Sequence, residues 1–167
     1  GDKLRLCLGC HAEAGHGDGA IVYFEAAPGP VGDRGAPPVL LWAGVAPAAL
    51  FRSEDDGATW ALNEGLWNQE SRPKWEGGMG GLCLHSICPW PGDSRKMAIG
   101  ISAVGVWITE DSGETWRNTN KGLVPRYLPE EVRDTTHMHC VHNLQRAPTQ
   151  PETLYMQYHG GVYRSDD

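Results

Sequence analysis

The chain has 167 residues, a formal net charge of −7, 22 glycines, 12 prolines, 7 tryptophans and 5 cysteines. That length carries one domain with a real core, and turn formers mixed with large aromatics favour an all-β fold over a helical one. The acidic balance without a basic stripe excludes a nucleic-acid partner from the reading, no apolar run reaches membrane-spanning length, and five cysteines do not suit a disulfide scaffold.

The first residue is Gly1, so a missing N-terminus is expected and the lack of a leader leaves the compartment open, with a lean to the cytoplasm. Residues 1–19 form an unassigned segment. Within it CLGCH (7–11) has the Cys-x-x-Cys-His spacing of c-type haem attachment. Its flanks show no helical apolar period, so a chance match is expected and no cofactor is assigned. From residue 20 the chain reads as three units, 20–63, 64–119 and 120–167. In LWAGVAPAALFRSEDD (41–56) an apolar run, a small-residue turn and Leu50-Phe51 predict strand, tight turn and strand. SEDDGATW (53–60) follows as a second turn, with a further strand from its tryptophan. A connection, WNQESRPKWEGGMGG (67–81), leads to predicted strands over CLHSIC (83–88), KMAIGIS (96–102) and GVWIT (105–109), then to TEDSGETW (109–116). After VPRYLPEEVRDTTHM (124–138) come CVHNLQ (140–145) and TLYMQYHGGVYRSDD (153–167).

The polar stretches recur. Their first hydroxyl residues, Ser53, Thr109 and Ser165, stand 56 residues apart. CLHSI and CVHNL are instead 57 apart, so one residue is gained after Trp116 and lost again before Gly161. Drift in loops with recovery in strands marks a repeat protein. Four strands per unit, repeated in register, predict the blades of a β-propeller. The pattern Ser/Thr-x-Asp-x-Gly-x-Thr-Trp has a folding task for each residue. Asp55 and Asp111 accept from backbone N–H groups of their own turn, Gly57 and Gly113 supply positive φ, and Trp60 and Trp116 wedge between neighbouring sheets.

Two complete boxes, and SDD (Ser165, Asp166, Asp167) at the expected spacing, resemble the Asp-box or BNR repeat of sialidases and related propellers over about residues 20–167. Families with such boxes include sialidases, xyloglucan-cleaving hydrolases, sortilin-type receptors and photosystem II assembly factors, and glycosyl hydrolase-like bacterial proteins look most similar. The resemblance implies a propeller of six to eight blades, of which about three are present. It also implies that ligands bind at the face opposite the boxes, where the long connections and the turns near Ala46-Pro47, Ser102-Ala103 and Tyr158-His159 lie.

The connections hold the candidates for a site. The first offers Trp67, Arg72, Lys74 and Trp75; the second offers Arg126, Tyr127, Glu130, Glu131, Arg133 and Asp134. Aromatics among hydrogen-bonding charges suit a sugar, so Arg72, Trp75, Arg126, Tyr127, Tyr158 and His159 are read as ligand-binding. Glycoside hydrolysis needs two carboxyl groups, which makes Glu130, Glu131 and Asp134 the catalytic candidates, with Glu70 and Glu76 on the neighbouring blade. No Arg-Ile-Pro-type motif, expected of a sialidase, precedes the first box. Cys83-x-His85 and Cys140-x-His142 each place a thiol and an imidazole on one strand face, chemistry suited to a soft transition metal. His137 and His139 add imidazoles. Recurrence at one repeat position fits blade packing better, so no metal is assigned. Two functions remain in view: a glycosyl hydrolase-like protein that binds a carbohydrate, with cleavage open, or a non-catalytic scaffold for a protein partner.

Overall fold

The computed structural model describes residues 21–28, 39–126, 128–133 and 138–166. Residues 1–19, with CLGCH, lie outside it, as do Tyr127, Asp134, His137 and Asp167. The described residues form three antiparallel sheets, each taking its strands in chain order. The first contains β1 (Ile21–Pro28), β2 (Val39–Val45), β3 (Ala49–Ser53) and β4 (Ala61–Leu62). The second contains β5 (Leu84–Trp90), β6 (Asp93–Ile101), β7 (Gly105–Thr109) and β8 (Arg117–Asn118). The third contains β9 (Val141–Arg146), β10 (Leu154–Tyr158) and β11 (Gly161–Ser165). β1 packs beside β5, and β5 beside β9. Meandering sheets stacked through their first strands are propeller blades. β5 and β6 are longer than their sequence signals, because Pro91-Gly92, with Gly92 at φ 79°, closes them into a hairpin on Trp90 and Asp93.

Packing explains the apolar run in β6. Side chains of a strand alternate between faces, and here both faces meet another blade. Met97, Ile99 and Ile101 join Trp42, Leu50, Leu84, Trp107 and Trp116 in a core between the first and second blades. Ala98 lies with Val106, Val141, Leu144, Met156 and Tyr158 in a core between the second and third. In β10 the alternation returns, with Leu154, Met156 and Tyr158 buried and Tyr155 and Gln157 exposed.

The first strands are also joined by hydrogen bonds across the second interface. His85 Nε2 is 2.7 Å from the Val141 carbonyl oxygen, and its Nδ1 is 2.9 Å from Ser86 Oγ. A carbonyl only accepts, so Nε2 carries the proton and Nδ1 accepts from the serine hydroxyl. Ser86 Oγ in turn accepts from Leu144 N–H at 3.1 Å. Burial pushes the His85 pKa down, which favours this neutral ring. The Cys88 thiol donates to the Leu144 carbonyl at 3.3 Å.

The two boxes match partner by partner. Ser53 and Thr109 hydroxyls donate to Asp55 and Asp111 at 2.8 Å and accept from Gly57 and Gly113 N–H at 2.9 Å. Each aspartate then accepts from the hydroxyl and the N–H of Thr59 or Thr115. Those two bonds hold the Asp55 carboxyl at about 2, below the usual carboxylate range, and push Asp111 down likewise. Two successive residues take positive φ in each turn, Asp56-Gly57 and Ser112-Gly113. Replacing the buried Thr109 with valine keeps its volume but leaves the Gly113 N–H without its acceptor. The expected loss is about 1–3 kcal/mol, read by urea denaturation; an unchanged midpoint would show that the hydroxyl does not hold the turn.

Candidate functional site

Antiparallel alternation decides which loops share an end. Connections 63–83 and 119–140 return from the last strand of one blade to the first of the next. They therefore lie at the end of the β2–β3, β6–β7 and β10–β11 turns, and the boxes lie at the other. Hydrogen bonds join these segments. Arg72 donates to the carbonyls of Pro47 and Ala48 at 2.9 and 3.0 Å, and Ser102 Oγ accepts from Cys83 N–H at 2.8 Å.

The first connection is folded onto the core between the first two blades. Asn63 caps the short helix Glu64–Trp67 by accepting from Leu66 N–H at 2.9 Å, and Leu66 is fully buried. Trp75 is buried against Trp107 at 5.2 Å between ring centroids, and its indole donates to Ser71 Oγ. The Arg72 guanidinium lies 3.7 Å from the Trp67 ring centroid and 5.2 Å from that of Trp75. Arg72 thus fastens the loop to the first blade and Trp75 fastens it to the second. In the second connection Arg133 donates to the carbonyls of Leu128 and Arg126, fixing the turn before the 3₁₀ segment Glu130–Val132. Glu130, Glu131 and Arg126 are exposed.

Between the two connections lies a cleft of about 800 Å³. Gln69, Glu70, Ser71 and Lys74 line one side, and Lys121, Gly122, Leu123, Arg133 and His139 the other. Trp107, Asn118 and Asn120 of the second blade close it. Asn120 is fixed by bonds to Val104 O and Val106 N. Among the described residues the buried Trp107 indole N–H meets no acceptor. Lys74, Arg133 and Glu70 stand out in the sequence as charged loop residues. Lys121 and Trp107 do not: the first sits in a short turn, and the second reads as one more apolar residue of GVWIT. Glu130, Glu131, Arg72, Trp75 and Arg126 are not among the lining residues.

The other candidates gather on the third blade. Tyr158 is buried, edge-on to Tyr163 at 5.5 Å. His159 and His142 are exposed, with ring centroids 4.4 Å apart, and Cys140 is beside them. Cys83 and His85 do not share that arrangement, since both His85 ring nitrogens point to Ser86 and Val141. At the box end a second cleft of about 700 Å³ is lined by Glu54, Asp55, Glu64 and Glu114 with Arg52, the opposite charge balance.

No family model matches the chain, and no curated protein does. Solved structures similar to it include YCF48 bound to D1 peptide, at 17% identity and a TM-score of 0.44, over 86% of this chain and 41% of that one. Another is the GH74 enzyme of Niastella koreensis, at 19% identity and a TM-score of 0.45, over 79% of this chain and 20% of that one. The chain spans less than half the length of either protein.

Proposed function

We propose that the chain is part of an Asp-box β-propeller, with units at 20–63, 64–119 and 120–167, and that it is a non-catalytic scaffold binding an acidic segment of a partner protein. The agreement of the two boxes, bond by bond, supports the family reading. One observation carries the ligand: in a chain of net charge −7, the cleft between the connections sets Lys74, Lys121 and Arg133 against Glu70 alone among its described lining residues. A positive cleft in an acidic protein concentrates carboxylate-bearing ligands. Hydrolysis of a glycoside would need two carboxyl groups about 5–9 Å apart; the described lining has one. A neutral sugar would need an open aromatic face in the cleft, and Trp107 among its described lining residues is buried.

Fluorescence anisotropy with a labelled oligoglutamate is the test. The probe binds and loses affinity as salt rises, and K74E with K121E weakens it at least about tenfold. No binding of oligoglutamate, or no effect of the double charge reversal, would refute the acidic-ligand reading. Turnover of a glycoside that E131Q abolishes without unfolding would establish a carbohydrate-cleaving enzyme in its place.

A further inference from the structure

We propose that Cys140, His142 and His159 form a three-ligand site for a zinc-class transition metal ion at the connection end of the third blade. Their ligand atoms, one sulfur and two imidazole nitrogens, all lie within 4.8 Å of one another. The two rings meet edge-on at 83°. Among the described residues this is the one group of three or more Cys, His, Asp or Glu side chains so placed.

The backbone brings the three together in two steps. Along β9 and β10, Asn143 pairs with Gln157 and Val141 with Tyr158, so His142 is the extra residue of a β-bulge. A bulge re-aims the side chain it carries. The second step is the turn after β10. The first two blades use three residues there, 46–48 and 102–104; the third uses two, His159-Gly160. The shorter turn sets His159 next to Tyr158, whose partner Val141 lies between Cys140 and His142. The residue lost before Gly161 thus closes the distance between the donors.

The second blade is the internal control. It has the same bulge, between the Leu84–Ile101 and Ser86–Gly100 pairs, and His85 occupies it. But His85 is buried with both nitrogens engaged across the blade interface, and the turn at 102–104 supplies no imidazole. The same Cys-x-His spacing therefore buries its histidine in one blade and sets it at the surface in the next.

One thiolate and two imidazoles suit zinc and its spectroscopic substitute cobalt(II), whereas calcium and magnesium prefer oxygen ligands. Donors about 2.0–2.3 Å from a tetrahedral ion stand roughly 3.5 Å apart. His142 and His159 are exposed and Cys140 is partly so, which leaves side-chain rotation to close that gap. Three protein ligands leave a fourth position for water or for a group of a bound partner. The site stands independently of the acidic-ligand reading.

Cobalt(II) titration of the chain carrying C7S and C10S tests it, because those changes remove the competing Cys-x-x-Cys-His segment. Binding is expected to saturate at one equivalent, with a thiolate-to-cobalt charge-transfer band and the visible absorption of a four-coordinate ion, both bleached by zinc. C140S removes the charge-transfer band, H142A and H159A each weaken binding at least about tenfold, and C83S changes nothing. Failure to saturate at one equivalent, a charge-transfer band that survives C140S, or one that disappears with C83S would overturn the proposal.

Discussion

Trp116→Ala is expected to lower the stability of the fold by about 3–5 kcal/mol, or about 6–20 °C in melting temperature, while Trp60→Ala costs nearer to about 1 kcal/mol. The two residues occupy the same box position and differ in surroundings. Trp116 is 7% exposed and belongs to the core between the first two blades; Trp60 is 36% exposed. The Trp116 indole donates to both Asn63 Oδ1 and Gly113 O, near 3 Å, and Asn63 Nδ2 donates to the same Gly113 carbonyl. Asn63 also caps the helix that opens the first connection, so the indole ties one blade's box to the loop leaving its neighbour. Trp60 donates to Gly57 O within its own turn. Thermal melts of the two variants decide the matter. Equal losses would mean that the box tryptophan acts within its turn and not between blades.

The second large effect is expected from a single methyl group. A Cβ at Gly44 would stand 2.4 Å from Leu84 Cδ2 and 2.5 Å from Leu84 O. The carbonyl belongs to the backbone entering β5, so relief requires a strand to move, and G44A is expected to cost at least about 3 kcal/mol. Gly100 is the same position one repeat later. There a Cβ would meet Val141 Cγ1, Ser86 Cβ and Leu144 Cβ at 3.1–3.3 Å, contacts relieved by a few tenths of an ångström. G100A is expected to cost about 1 kcal/mol or less, since lost chain entropy in the unfolded state offsets part of the crowding. Urea denaturation of both variants measures the difference; a G44A loss no larger than that of G100A would show that the first two blades are not in such close contact.

The boxes are legible in the sequence because their bonds are local and each needs a particular residue type. Ser53, Asp55, Gly57 and Thr59 lie within seven residues and fold on one another. Strands β5 to β7 and β9 to β11 follow from the same register. β1 does not, because IVYFEAAP shares no cysteine or histidine with CLHSIC or CVHNLQ. At the connection end, charge on long loops is visible, but which charges meet depends on how the loops cross. Arg72 and Trp75 read as loop residues open to a ligand; instead Leu66 and Trp75 extend the core between the first two blades, and Arg72 stacks on Trp67. Trp107 lines the cleft because residues 69–71 and 121–123 pass over it, a long-range fact that GVWIT cannot carry. The approach of His159 to His142 needs both a bulge and a shortened turn. The drift from 57 to 56 residues records the second and is silent about the first.

The two-faced burial of β6 separates chain proximity from energetic coupling. Ala98 and Ile99 are joined by a peptide bond, yet they belong to different cores. Changes at such neighbours fall on different interfaces, so their side chains share no packing partner and any coupling runs through the backbone alone. Gly44 and Leu84, forty residues apart, touch; changes there share one contact and combine non-additively. A map of pairwise epistasis across this protein would follow the face of the middle sheet that each position occupies and would disregard their order along the chain.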